Sequence, residues 1–159
     1  MLDLYGPDNL DWNELLFVGM GNRIKSDDGV GIIIAEGLVE KGIKNVIIAE
    51  NSIENYLGKI NLHPSDTVII IDAVDQNEAP GFYGLLPISK IINTTSNTHN
   101  LSLSTISSFL SARQKWVLAI QPEKVSFGFE LSEKILRTAE KIIDDIIWKT
   151  NSDRKNSVV

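Results

Sequence analysis

The sequence predicts a single α/β domain, a mostly parallel twisted sheet of about five strands with helices on both faces. Three observations lead there. Short apolar runs alternate with amphipathic segments along most of the chain, the order expected when parallel strands are joined by crossover helices. The run DTVIIIDAV, residues 66–74, is continuous and β-branched, which suits a strand covered on both faces. A glycine-bearing turn, GMGNRIKSDDGVG at 19–31, lies between a strand-like run and a helical one.

The elements follow in order. Residues 1–13, broken by Gly6 and Pro7, read as an N-terminal extension. Residues 14–149 form the domain, and the polar TNSDRKNSVV, 150–159, reads as a flexible tail. The first strand is expected at 15–18. A helix over 31–39 follows, which Gly42 can end. Residues 45–50 read as a second strand and 51–60 as a short helix or helical turn. After the central strand, FYGLLPI (82–88) reads as a strand that is antiparallel or at an edge, because Pro87 has no N–H for a ladder. A helix over 100–110 places Leu103, Ile106 and Leu110 on one side, and 115–122 is the last strand. The final helix, 131–149, is amphipathic. Ile135, Ala139, Ile142 and Ile146 face one way, with Leu136, Ile143 and Ile147 beside them.

A chain of 159 residues suits one domain, and a hydrophobic fraction of 43% is enough for a real core. The formal charge of −6 speaks against nucleic acid, which wants a basic face. With no cysteine there is no disulfide, no thiolate metal site and no cysteine nucleophile. The acidic first residues lack the apolar run of a signal peptide. No stretch holds 18 consecutive apolar residues. The expected setting is the cytoplasm, without membrane insertion.

In open α/β sheets ligands bind at the carboxyl ends of the strands. Three loops are then of interest: those after Val18 and Ile71, and the one before the helix at 100. A phosphate site fits the first poorly. In a G-x-G-x-x-G reading the third position is Ile24, and the G-K-[ST] of a P-loop is absent. Asp27 and Asp28 also stand where a helix N-terminus would attract an anion, and would repel a phosphate unless a cation stood between. Helix capping, worth about 1 kcal/mol, accounts for one aspartate.

Asp72 lies near the carboxyl end of the central strand, with Asp75 three residues on; either can serve a site or merely cap a loop. Of the two histidines, His63 reads as a turn residue, and His99, in NTHNLSLS, sits at the mouth of a helix. Asp27 or Asp28, Asp72 and His99 would together offer two carboxylates and one imidazole. That set suits zinc or nickel and leaves a coordination position open, the arrangement of a reactive site. H-E-x-x-H and G-x-S-x-G are both absent. A triad built on His99 stays open, but no serine is singled out.

These residues also carry a family resemblance. VGMGN…DDGVG, IIIDAVD…APG, THNLSL and AIQPEKVSFGFELSE occur in this order with compatible spacing. Over roughly 15–148 the chain resembles the hydrogenase maturation endopeptidases, which process the large subunit of nickel–iron hydrogenases. The last two blocks look closest to the branch serving energy-converting, formate- or CO-linked hydrogenases. The resemblance implies that Asp28, Asp72 and His99 are the metal-binding and catalytic residues and that Asp27 keeps a capping role. It implies hydrolysis of one peptide bond, releasing the C-terminal tail of the large-subunit precursor after nickel insertion, with the nickel supplied by that precursor. Arg23 departs from the family pattern, which has an apolar residue or proline there. It would bind a substrate carboxylate or point to solvent. The alternatives of another class are a nickel carrier that does not cut and a nucleotide-binding α/β protein.

Overall fold

The computed structural model describes residues 6, 9–94 and 98–158, and the side chains of all of these except 92–94 and 98–102. The apolar runs become five strands: β1 (Leu16–Met20), β2 (Val46–Glu50), β3 (Thr67–Ala73), β4 (Tyr83–Pro87) and β5 (Gln114–Ile120). Between and after them lie α1 (Val30–Glu40), α2 (Leu57–Leu62), α3 (Ile88–Thr94), α4 (Thr98–Ser107) and α5 (Glu133–Asn156). The strand order is β2-β1-β3-β5-β4. All pairs are parallel except β4 with β5, where Pro87 sits opposite Trp116 on the outermost strand.

Strand alternation sorts the side chains into two cores. Phe17, Ile69, Ile71, Leu118 and Ile120 pack under Val30, Ile34 and Leu38 of α1 and under Ile135, Ala139, Ile142 and Ile146 of α5. Val18, Val68, Ile70, Val117 and Ala119 pack on the other face, against Ile53, Ile60, Ile88, Ile91, Leu103 and Ile106. The helices therefore cover both faces, as the continuous apolar run of β3 requires.

Three elements differ from the sequence reading. Helix α3 was not anticipated; its sequence, ISKIINT, is too short to declare a period, and Ile88 and Ile91 are its buried anchors. Helix α5 continues through Asn156, because the polar stretch read as a tail still has packing to do. Thr150 is buried there, Asp153 accepts the backbone N–H of Trp12 at 2.8 Å, and Arg154 donates to the Asn13 side chain at 3.0 Å. Trp12, within the segment read as an extension, is accordingly part of the core.

The order of strands changes direction between β1 and β3, the place where α/β sheets open a crevice at their carboxyl ends. Here the N-terminus of α1 enters that place, and two glycines allow it. A Cβ on Gly31 would lie 2.1 Å from the Ile71 carbonyl oxygen and 2.4 Å from that of Met20. One on Gly19 would lie 2.4 Å from the Ala35 Cβ. The obstacles are backbone and a neighbouring Cβ, which cannot swing away. Gly31→Ala is expected to lower the unfolding free energy by about 2–3 kcal/mol, read from urea denaturation. Gly58→Ala, inside α2 with nothing within 4 Å, should raise it by about 0.5–1 kcal/mol.

Tyr83 joins β4 to α5 by donating its hydroxyl to Asp145 at 3.3 Å. Burial, with the Asp145 charge adding to it, pushes the phenol well above its ordinary value. A raised value means stability that is full below the ordinary phenol range and is lost as pH rises through it. Tyr83→Phe should remove the last phenolate step from an alkaline absorbance titration and flatten the alkaline loss of stability.

Candidate active site

The loop after β1 is closed by its own backbone. Gly21 adopts φ 146°, and a Cβ there would lie 2.0 Å from the Asp28 carbonyl oxygen. That approach lets Asn22 N–H donate to the same carbonyl at 3.1 Å, while Gly21 N–H donates to the Glu50 carbonyl at 2.9 Å. The chain then turns through a 3-10 segment, Ser26–Gly29, directly into α1. All four residues of that segment are buried, Asp27 and Asp28 included.

The two aspartates do different things. Asp27 is fully buried, and its carboxylate is committed to a segment almost a hundred residues away. One oxygen accepts the backbone N–H groups of Glu123 and Lys124 at 3.0 and 2.8 Å. The other accepts the N–H of Ser132 at 2.7 Å. The Ser132 hydroxyl donates to both. Neither the 3-10 segment nor α1 has a side-chain cap, so Asp27 does not cap its own helix. It ties the start of α5 and the segment after β5 to the loop after β1. Replacing it by Ala would leave buried donors without a partner, and such groups cost about 1–3 kcal/mol each. Asp27→Ala should therefore cost at least about 3 kcal/mol in urea unfolding.

Asp28 is the other acid of the pair. It is 7% exposed, and Asp72, the penultimate residue of β3, is 0% exposed. The 3-10 segment packs on β3, and Gly31 abuts the carbonyl of Ile71, the neighbour of Asp72. The structure thus brings the elements carrying Asp28 and Asp72 together at the carboxyl end of the sheet. Strand alternation sends Asp72 to the face of Val68 and Ile70, which is also the face of α4 through Leu103 and Ile106. His99 is the second residue of α4; its side chain lies outside the described residues.

The other candidates have structural tasks. His63 follows α2; its Nδ1 accepts the N–H of Ser65 at 3.1 Å, and its Nε2 lies 3.3 Å from Asn45 Oδ1. Asp75 accepts the Asn77 N–H at 3.0 Å and the Gln121 amide at 3.2 Å. The Asn77 N–H, then Gln121, holds its carboxyl below the usual carboxylate range. Gln121, buried and missed in the sequence reading, also accepts Gln76 N–H at 2.7 Å and so shapes the turn after β3. Arg23 stands at the exposed surface, ion-paired there with Glu36 and, at 3.2 Å, with Glu50. Glu36 first, then Glu50, raises its pKa above the ordinary value.

An α/β sheet with buried carboxylates, and no phosphate cradle, at the carboxyl ends of its central strands defines an acid-bearing α/β protein. Comparison with known proteins gives the family. The hydrogenase maturation protease model of the HycI type matches residues 40–149. A protein of Methanocaldococcus jannaschii, provisionally named a hydrogenase maturation protease, is 29% identical over 147 residues, covering 84% of this chain and 86% of that one. The HycI nickel–iron hydrogenase maturation protease of Thermococcus kodakarensis shares the fold with a TM-score of 0.74 at 23% identity, over 87% of this chain and 93% of that one. The hydrogenase maturating endopeptidase HybD of Escherichia coli does so with a TM-score of 0.74 at 19% identity, over the same shares of the two chains. The chain belongs to the hydrogenase maturation protease family and is a peptide-bond hydrolase of that kind. The family match begins at residue 40, so Asp28 rests on the loop geometry and on the resemblance of its own motif.

Proposed function

We propose that the protein removes the C-terminal extension of a nickel–iron hydrogenase large-subunit precursor once nickel has been inserted, with Asp28, Asp72 and His99 meeting the nickel that the precursor carries. The observation that supports this most is the meeting of the Asp28 turn and the end of β3 across the Gly31–Ile71 approach, at the crevice where α/β sheets bind ligands. The donor set fits: carboxylate oxygens and an imidazole nitrogen are compatible with a first-row divalent ion. Two acids and one imidazole hold a free ion only modestly, which suits an ion borrowed from the substrate.

The physical gain is a gate. Without nickel in the precursor, three side chains of the protease have nothing to grip, and buried acids are poor hosts for an unassisted peptide. With it, the scissile bond is fixed beside the carboxylates, and water adds across that bond to leave a carboxylate on the subunit and an amine on the tail. Asp28, the more accessible acid, forms the outer edge of the site, and Asp72 its floor. The same reading places the protein in the cytoplasm, in keeping with a chain without cysteine. Among the described residues no helix is long and apolar enough to cross a membrane.

The test is the mass of the precursor after incubation with wild-type protein and with the Asp28→Asn, Asp72→Asn and His99→Ala variants. Wild type should trim nickel-loaded precursor and leave metal-free precursor whole. The variants should cut slower by about 100-fold or more, the scale on which a positioned group contributes. Full cutting by the Asp72 and His99 variants would overturn the assignment.

A further inference from the structure

The segment between β5 and α5 is held along its length yet shows its apolar side chains to water. Its backbone pairs with the loop that carries Asp28: Ser26 N–H donates to the Gly128 carbonyl at 2.8 Å, Gly128 N–H to that of Ile24 at 3.0 Å, and Asp27 N–H to that of Lys124 at 3.0 Å. The Ser26 hydroxyl donates to the Glu130 carbonyl at 2.8 Å. Asp27 adds the side-chain bonds already described. On this fixed strip Phe127 and Phe129 are 75% and 73% exposed, Val125 is 50% exposed, and Ile24 across the pairing is 47% exposed. The two rings meet edge-on, with centroids 5.5 Å apart.

The ring contact puts Phe127 and Phe129 side by side on this bent strip. Two exposed aromatic rings in contact, with further exposed apolar side chains on the same loop pair, mark an interaction surface. Because its backbone is already ordered, binding costs it little conformational entropy. Its charged neighbours, Lys25, Lys124, Glu123 and Glu130, balance, so charge does not select the partner.

We infer that residues 123–130 are a docking arm on which an apolar stretch of the polypeptide substrate lies beside its cut site, and that Asp27 is the positioning residue that fixes the arm relative to Asp28. This rests on the function proposed above. A protease must seat a polypeptide, and the arm is hydrogen-bonded to Ile24, Ser26 and Asp27 of the loop that carries Asp28, which makes it the exposed apolar surface joined to the candidate site.

The experiment measures binding of the large-subunit precursor, metal-free and nickel-loaded, to wild-type protein and to the Phe127→Ser/Phe129→Ser double variant, by fluorescence anisotropy at low and high salt. Both side chains are exposed, so circular dichroism and melting should not change. The double variant should bind both precursor forms at least about tenfold more weakly, as loss of aromatic anchors does. Wild-type binding should depend little on salt. Unchanged affinity, or a wild-type chain that does not bind precursor, would overturn the arm. So would a wild-type dimer in sedimentation that the double variant dissolves, since a second copy would then be the occupant. Weak binding by the Phe variant beside full cutting by the Asp72 and His99 variants would keep the arm and remove the nickel assignment.

Discussion

The fold depends on how closely α1 can approach the sheet. At Gly31 the helix lies against two strand carbonyls at once, and at Gly19 the strand lies against the helix in return. No side chain fits in either place. The approach sets the height at which the loop after β1 meets the end of β3, and with it the separation of two acids from different parts of the chain. The glycines of this turn, which in other α/β proteins let a phosphate come near, here let protein come near protein. The helix N-terminus that could have drawn in an anion is occupied instead by buried aspartates.

Adjacent carboxylates then divide the work. Asp27 spends its hydrogen-bonding capacity on Glu123, Lys124 and Ser132, joining the first loop to the last crossover. Asp28, one residue on, is left at the edge of the crevice. A charge buried in this way is tolerable because several donors surround it. The same donors make the segment after β5 a rigid neighbour of the candidate site rather than a loose connection.

Most of the architecture was legible because its signals are local. The β-branched run of β3, the 3.6-residue period of α5 and the Pro87 of an edge strand each speak for themselves, and the five strands, their faces and the antiparallel partner follow. Asp28 and Asp72 were legible as candidates because acids at the carboxyl ends of strands are conspicuous. What could not be read is long-range. The same two letters, Asp-Asp, gave no hint that the first would turn toward residues 123, 124 and 132. Gln121 looked like an ordinary polar residue until it was found inside the turn after β3. Arg23's ion pairs were equally hidden, because Glu36 and Glu50 reach it only after folding. The reach of α5 to Asn156 was hidden for a similar reason: Asp153 and Arg154 are polar, and their partners, Trp12 and Asn13, lie more than a hundred residues away.

That last contact has a geometric consequence. The Trp12–Asp153 and Asn13–Arg154 bonds gather the two outer segments of the domain at the amino ends of the strands. The carboxylates lie at the opposite pole, about 20 Å away along a strand of seven residues. Polypeptide joined beyond Arg154 therefore departs from the back of the molecule. A fused reporter or a surface tether placed there would leave the end of the sheet that carries the carboxylates facing outward.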